Sequence, residues 1–119
     1  MDIEKMVEIE LLYSQYASLL TDKQRDIISM YYEEDYSLGE ISQILNISRQ
    51  SVYDSLKRSE NALKDYEEKL GIVKKSNLLE KKISLIEEEI SKLDRSLNGK
   101  IAENSTQLKV LLEEVKELI

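Results

Sequence analysis

Proline is absent from this chain, and glycine occurs only at Gly39, Gly71 and Gly99. These two residue types supply most sharp turns and helix ends, so a chain nearly without them reads as long helices with short connections. The expected fold class is all-α. With 119 residues, 41% of them apolar, the chain has room for one domain, or one domain with a helical extension, around a modest core.

The apolar spacing gives the order of the helices. From about Ile3 to Leu20, the residues Met6, Ile9, Tyr13, Tyr16 and Leu20 recur at threes and fours and mark one face of an amphipathic helix. Thr21 to Gln24 has the form of a capping box, and a second helix is expected to about Glu34, burying Ile27, Ile28 and Tyr31. Ser37 to Glu40 is another capping box. It opens a short helix with Leu38, Ile41, Ile44 and Leu45 inside, ending at Asn46, which tolerates the left-handed conformation of a tight turn. Ile47 plugs that turn, Ser48 is a good N-cap, and a fourth helix starts at Arg49 with Val52, Leu56, Leu63 and Leu70 as its stripe.

Beyond Gly71, the residues Leu79, Ile83, Ile86, Ile90, Leu93 and Leu97 form a heptad seam between charged residues. Asn98-Gly99 interrupts it, and Ile101, Leu108, Leu111, Val115 and Leu118 resume a similar stripe. A helical hairpin folded at Asn98-Gly99 is the expected shape; one continuous helix with a stutter is the alternative. The expected division is residues 1–71 as a helix-turn-helix domain and 72–119 as a helical hairpin or coiled-coil extension. The seam serves either an intramolecular clasp or a homodimer, and a homodimer is the expectation, because Asn104 leaves the second stripe irregular.

Histidine and cysteine are both missing, which removes the usual general base, the thiolate nucleophile and the commonest metal ligands. Glu87 to Glu89 and Glu113-Glu114 lie between heptad positions and read as a solvated face. No glycine-rich loop fits a phosphate cradle. The chain is therefore expected to be no enzyme, with no catalytic residue, cofactor or metal. The acidic Met-Asp-Ile-Glu-Lys start lacks the apolar stretch of a signal peptide, and aliphatic runs stop at three residues, as at 110–112. No membrane span is expected, and the expected location is cytoplasmic.

The stretch SLGEISQILNISRQSVYDSLKR, Ser37 to Arg58, carries the positive signal. A helix-turn-helix needs apolar facing sides, a small residue where its helices cross and a left-handed turn residue. Ile41, Leu45, Ile47, Val52 and Leu56 meet the first need, Ser42 the second and Asn46 the third. Its second helix must also expose polar side chains to nucleic acid, and Ser48, Arg49, Gln50, Ser51, Tyr53, Asp54, Lys57 and Arg58 are the candidates, with Ser37 at the head of the first helix. Arg can fork onto guanine and Gln onto adenine, while Lys and Ser more often hold phosphates. Charge opposes this reading in part. Residues 1–70 carry 8 Lys/Arg against 15 Asp/Glu and so the whole net charge of −7, although 48–58 hold three basic side chains against one acidic. Two functions stay open: nucleic-acid binding, to DNA or structured RNA, and a protein-interaction module that kept the fold without appreciable nucleic-acid affinity.

Leu19 to Gly71, with the blocks LLTDKQR, YYEEDYSL and ISRQSVYD, resembles the YlxM family of small bacterial helix-turn-helix proteins, themselves similar to region four of sigma factors. The resemblance implies a DNA-binding fold of that kind and a regulatory or accessory role beside signal-recognition-particle components. Where the family commonly has alanine, this chain has Ser42 and Ser51.

Overall fold

The computed structural model describes residues 2–119. Among these the regular elements are all helical: α1 (Ile3–Tyr16), α2 (Asp22–Ile28), α3 (Leu38–Leu45), α4 (Arg49–Leu70), α5 (Ile72–Ser96) and α6 (Ala102–Glu117). They form two compact units, Met1–Val73 and Lys74–Ile119.

In the first unit α1, α2 and α3 all pack on α4. Its core holds Ile9, Leu12, Tyr16, Leu20, Ile27, Ile28, Tyr32, Leu56 and Leu63. The starts of α1, α2 and α3 are chemically marked. The Asp2 carboxylate caps α1, and both expected capping boxes form: Thr21 and Gln24 exchange bonds at α2, and Ser37 and Glu40 do so at α3. Gly71 ends α4 in the left-handed region at φ 62°. The Tyr16 hydroxyl donates to Glu67 Oε1 at 2.5 Å and accepts from the Ile72 amide at 3.1 Å, which ties α1 to the end of α4.

Several expectations need correction. The second helix does not run on to Glu34 as one α-helix. After Ile28 the backbone makes a π turn, Ser29–Glu33, and the wider turn advances the helix by one residue. The buried tyrosine is therefore Tyr32, with Tyr31 beside it edge to face at 5.1 Å and only half-buried. On α1, Leu12 is buried while Met6 and Tyr13 lie at the margin. Ile44 is 54% exposed, because Leu38, Ile41 and Leu45 define the inner face of α3 and Ile44 sits roughly a quarter turn from its centre. Leu70, on the last turn of α4, is exposed as well.

The second unit is a hairpin rather than one continuous helix. Asn98 and Gly99 both take positive φ, 52° and 76°, and α6 returns so that Lys116 Nζ meets Glu87 Oε1 at 2.7 Å. The seam divides between two faces. Ile83 and Ile90 are buried against α6, whereas Leu79, Ile86, Leu93 and Leu97 are exposed. Of the expected second stripe Ile101 is half-buried, but Leu108, Leu111, Val115 and Leu118 are exposed; Ser105 is buried instead, with Lys109, Leu112 and Lys116 half-buried. The turn through 97–101 sets which face of α6 meets α5, and that face is not its most apolar one.

Candidate nucleic-acid interface

The helix-turn-helix is α3, a three-residue turn and α4. Asn46 has φ 55° and ψ 47°, the left-handed conformation expected for the turn. Ser42 does more than leave room at the crossing. Its hydroxyl donates to the Ile47 carbonyl at 2.6 Å, and its own carbonyl accepts from the Ile47 amide at 3.1 Å, so it clamps the turn from within α3. Ser48 then caps α4 by accepting from the Ser51 amide at 3.0 Å.

The expected contact residues do not all point freely outward. Ser37 is occupied with the capping box of α3. The Ser48 hydroxyl also donates to the Ser51 hydroxyl at 2.9 Å, so these two side chains satisfy each other at the helix start. Gln50 donates through Nε2 to Asp54 Oδ1 at 3.0 Å, one turn along the exposed face. Arg49 reaches back over α3: a Cβ added at Gly39 would stand 3.0 Å from its guanidinium. Gly39 is thus the floor on which the first arginine of α4 rests, and its only clue in the sequence was a glycine early in a helix.

The two sides of the exposed face of α4 differ in chemistry. Along one edge Lys57 lies over the Tyr53 ring, 5.6 Å from its centroid, and its ammonium is 3.6 Å from the buried Glu60 carboxylate. Along the other, Arg58 and Ser55 line a cleft of about 140 Å³ with Thr21 and Lys23 of the α2 start. Lys23 and Glu60 had no place in the sequence reading. Lys57 and Glu60 are three apart on a helix, a spacing that places them side by side, but the burial of Glu60 comes from tertiary packing.

The exposed strip of Gln50, Tyr53 and Asp54 between these cationic edges has the polarity of a groove-reading helix. Base edges call for amide and guanidinium forks, and phosphates on either side call for cations. Comparison with known proteins agrees with the helix-turn-helix. Residues 3–117 match the family model UPF0122, described as "Putative helix-turn-helix protein, YlxM / p13 like". A UPF0122 protein of Caldanaerobacter subterraneus subsp. tengcongensis is 71% identical over 65 residues, covering 55% of this chain and 56% of that protein. One from Lactococcus lactis subsp. cremoris is 51% identical over 84 residues, covering 67% of this chain and 76% of its own. The match to the first of these relatives spans little more than half of its length.

Proposed function

We propose, from the premise that this chain belongs to the UPF0122 family of YlxM/p13-like helix-turn-helix proteins, that it binds nucleic acid, DNA in the first instance, through the exposed face of α4. The observation that carries this reading is the complete local geometry of the motif: a left-handed Asn46, a clamped turn, a capped α4 and a polar strip edged by Lys57 and Arg58. Arg49 and Gln50 carry the base readout and Arg58 holds phosphate. The absence of histidine and cysteine supports a binding role rather than catalysis. Arg49→Ala and Gln50→Ala each remove a contact of about 1–3 kcal/mol from the preferred sequence. Binding of duplex DNA by wild type and by the double variant, at equal salt, tests this; identical isotherms contradict it.

Two finer readings belong here. A second copy of the chain covers the apolar positions Leu79, Ile86, Leu93 and Leu97 that the hairpin leaves exposed. A dimer would present two copies of α4 to two half-sites, which offsets the weak attraction expected of an acidic unit. An accessory role in the signal-recognition-particle pathway rests on the family likeness alone, and binding of that particle's RNA in parallel with DNA tests it. The competing reading, a protein-interaction module, draws on the acidic surface of residues 1–70. No helix among the described residues is long and apolar enough to cross a membrane, in keeping with the cytoplasmic location we propose.

A further inference from the structure

Glu60 is a carboxylate at the heart of the first unit, 2% exposed. A buried charge survives only when paired and hydrogen-bonded, and three groups from two neighbouring elements and its own helix attend it. The Tyr32 hydroxyl donates to Oε1 at 2.6 Å, Lys5 of α1 approaches Oε1 at 3.4 Å, and Lys57 approaches Oε2 at 3.6 Å. One carboxylate thus gathers two ammonium groups, leaving a local excess of one positive charge in a unit that is otherwise acidic.

The two lysines are held loosely enough to serve another anion. Their contacts with Glu60 are longer than the 2.7–2.9 Å or so of a tight charge-assisted hydrogen bond, and their side chains are 34% and 39% exposed. The two lysines act on each other: Lys57 is held below the ordinary lysine range first by Lys5, Lys5 above it first by Lys57, and Glu60 favours the charge on both. Crowded like charges of this kind are relieved by an anion that bridges them. Both line a cleft of about 100 Å³ with Tyr31 and Tyr53, and Tyr53 stands on the exposed face of α4.

We infer that Lys5 and Lys57 together form a binding site for a backbone phosphodiester, with Glu60 as the residue that positions both. Lys5 precedes the helix-turn-helix by a whole helix, so the motif alone does not mark it. The site rests on the nucleic-acid reading above and extends that interface from α4 onto α1. A phosphodiester fits better than a protein carboxylate because the cluster adjoins, through Tyr53, the strip of α4 that carries the Gln50 amide, a group suited to base edges.

The test uses the full chain, a mixed-sequence duplex DNA and a structured RNA, titrated between about 50 and 200 mM salt. Lys5→Gln should weaken every duplex alike and lower the slope of log affinity against log salt by about 0.9. Over that fourfold salt range the wild type then loses about 3.5-fold more affinity than the variant. Lys5→Arg should keep the wild-type slope, which a purely structural role of Lys5 would not require. Should Lys5→Gln melt out, Lys57→Gln reads the same site with the same expected slope change. An unchanged slope in a folded variant, with wild-type binding intact, overturns the phosphate site and leaves the α4 reading standing. No salt-dependent binding of either nucleic acid by wild type overturns both. Binding of poly-glutamate in preference to DNA, lost in Lys5→Gln, assigns the cluster to an acidic partner and overturns the proposal too.

Discussion

A single left-handed residue, Asn46, decides whether α3 and α4 can meet at the angle a helix-turn-helix needs. At φ 55° a β-branched side chain is strained, so Asn46→Val should destabilise the first unit by about 1–3 kcal/mol, while Asn46→Gly should be neutral or stabilising. Denaturant midpoints for the two variants check this, and a valine variant unfolding with the wild type contradicts it. Gly39 works differently. The atoms nearest its added methyl are those of the Arg49 guanidinium, the far end of a flexible side chain, so Gly39→Ala should move stability by no more than about 0.5 kcal/mol while turning the guanidinium away from its seat. A change in binding without a change in melting temperature is the expected result. The Tyr16 and Tyr32 hydroxyls contribute to the pH dependence on the alkaline side. Both are pushed above the ordinary tyrosine range, first by burial and then by their hydrogen bonds to Glu67 and Glu60. The folded state therefore favours the neutral phenol, while the unfolded chain ionises near pH 10 or so. The stability this supplies is complete below that pH and is lost as pH rises above it toward the folded values. Urea midpoints should fall on the alkaline side, less steeply in Tyr16→Phe; parallel curves would contradict this.

At the scale of the element, the hairpin makes the sharpest distinction. Ile90 is 8% exposed and packs inside the second unit, whereas Ile86, four residues earlier, is 48% exposed. Ile90→Asp should melt the hairpin. Ile86→Asp should leave its helicity intact and, if Leu79, Ile86, Leu93 and Leu97 face a second copy, halve the mass seen by sedimentation equilibrium from twice 13.9 kDa. A wild-type monomer would sink the dimer and leave these exposed apolar side chains unexplained. The sequence was legible wherever local chemistry decides: two capping boxes, the left-handed Asn46 and the break at Asn98-Gly99 all follow from one to four residues. It misled where one local irregularity shifts a register. The π turn Ser29–Glu33 exchanged Tyr31 for Tyr32. The turn after Leu97 brought Ser105 rather than Leu108 against α5. An apolar stripe states that a face will be covered, but not by which neighbour.

For the whole molecule, function turns on how charge is distributed. The net charge of −7 opposes indiscriminate adhesion to phosphate, so binding must come from a small surface where cations are gathered. The sequence reading assigns that surface to the helix starting at Arg49, and the proposal keeps it there. It did not reveal that Gln50 bonds to Asp54, that Arg49 rests on Gly39, or that Lys57 shares the buried Glu60 with a lysine of α1. The last two join residues from different helices and exist only in the packed unit. The central claim is that the exposed face of α4 meets nucleic acid, and amide chemical-shift mapping tests it most directly. An isotope-labelled full chain is titrated with mixed-sequence duplex DNA and, separately, with signal-recognition-particle RNA. We predict salt-sensitive shifts concentrated at residues 48–58 and around Lys5. Shifts confined to residues 74–119, or none with either nucleic acid, would contradict the account and favour a module that works through protein contacts.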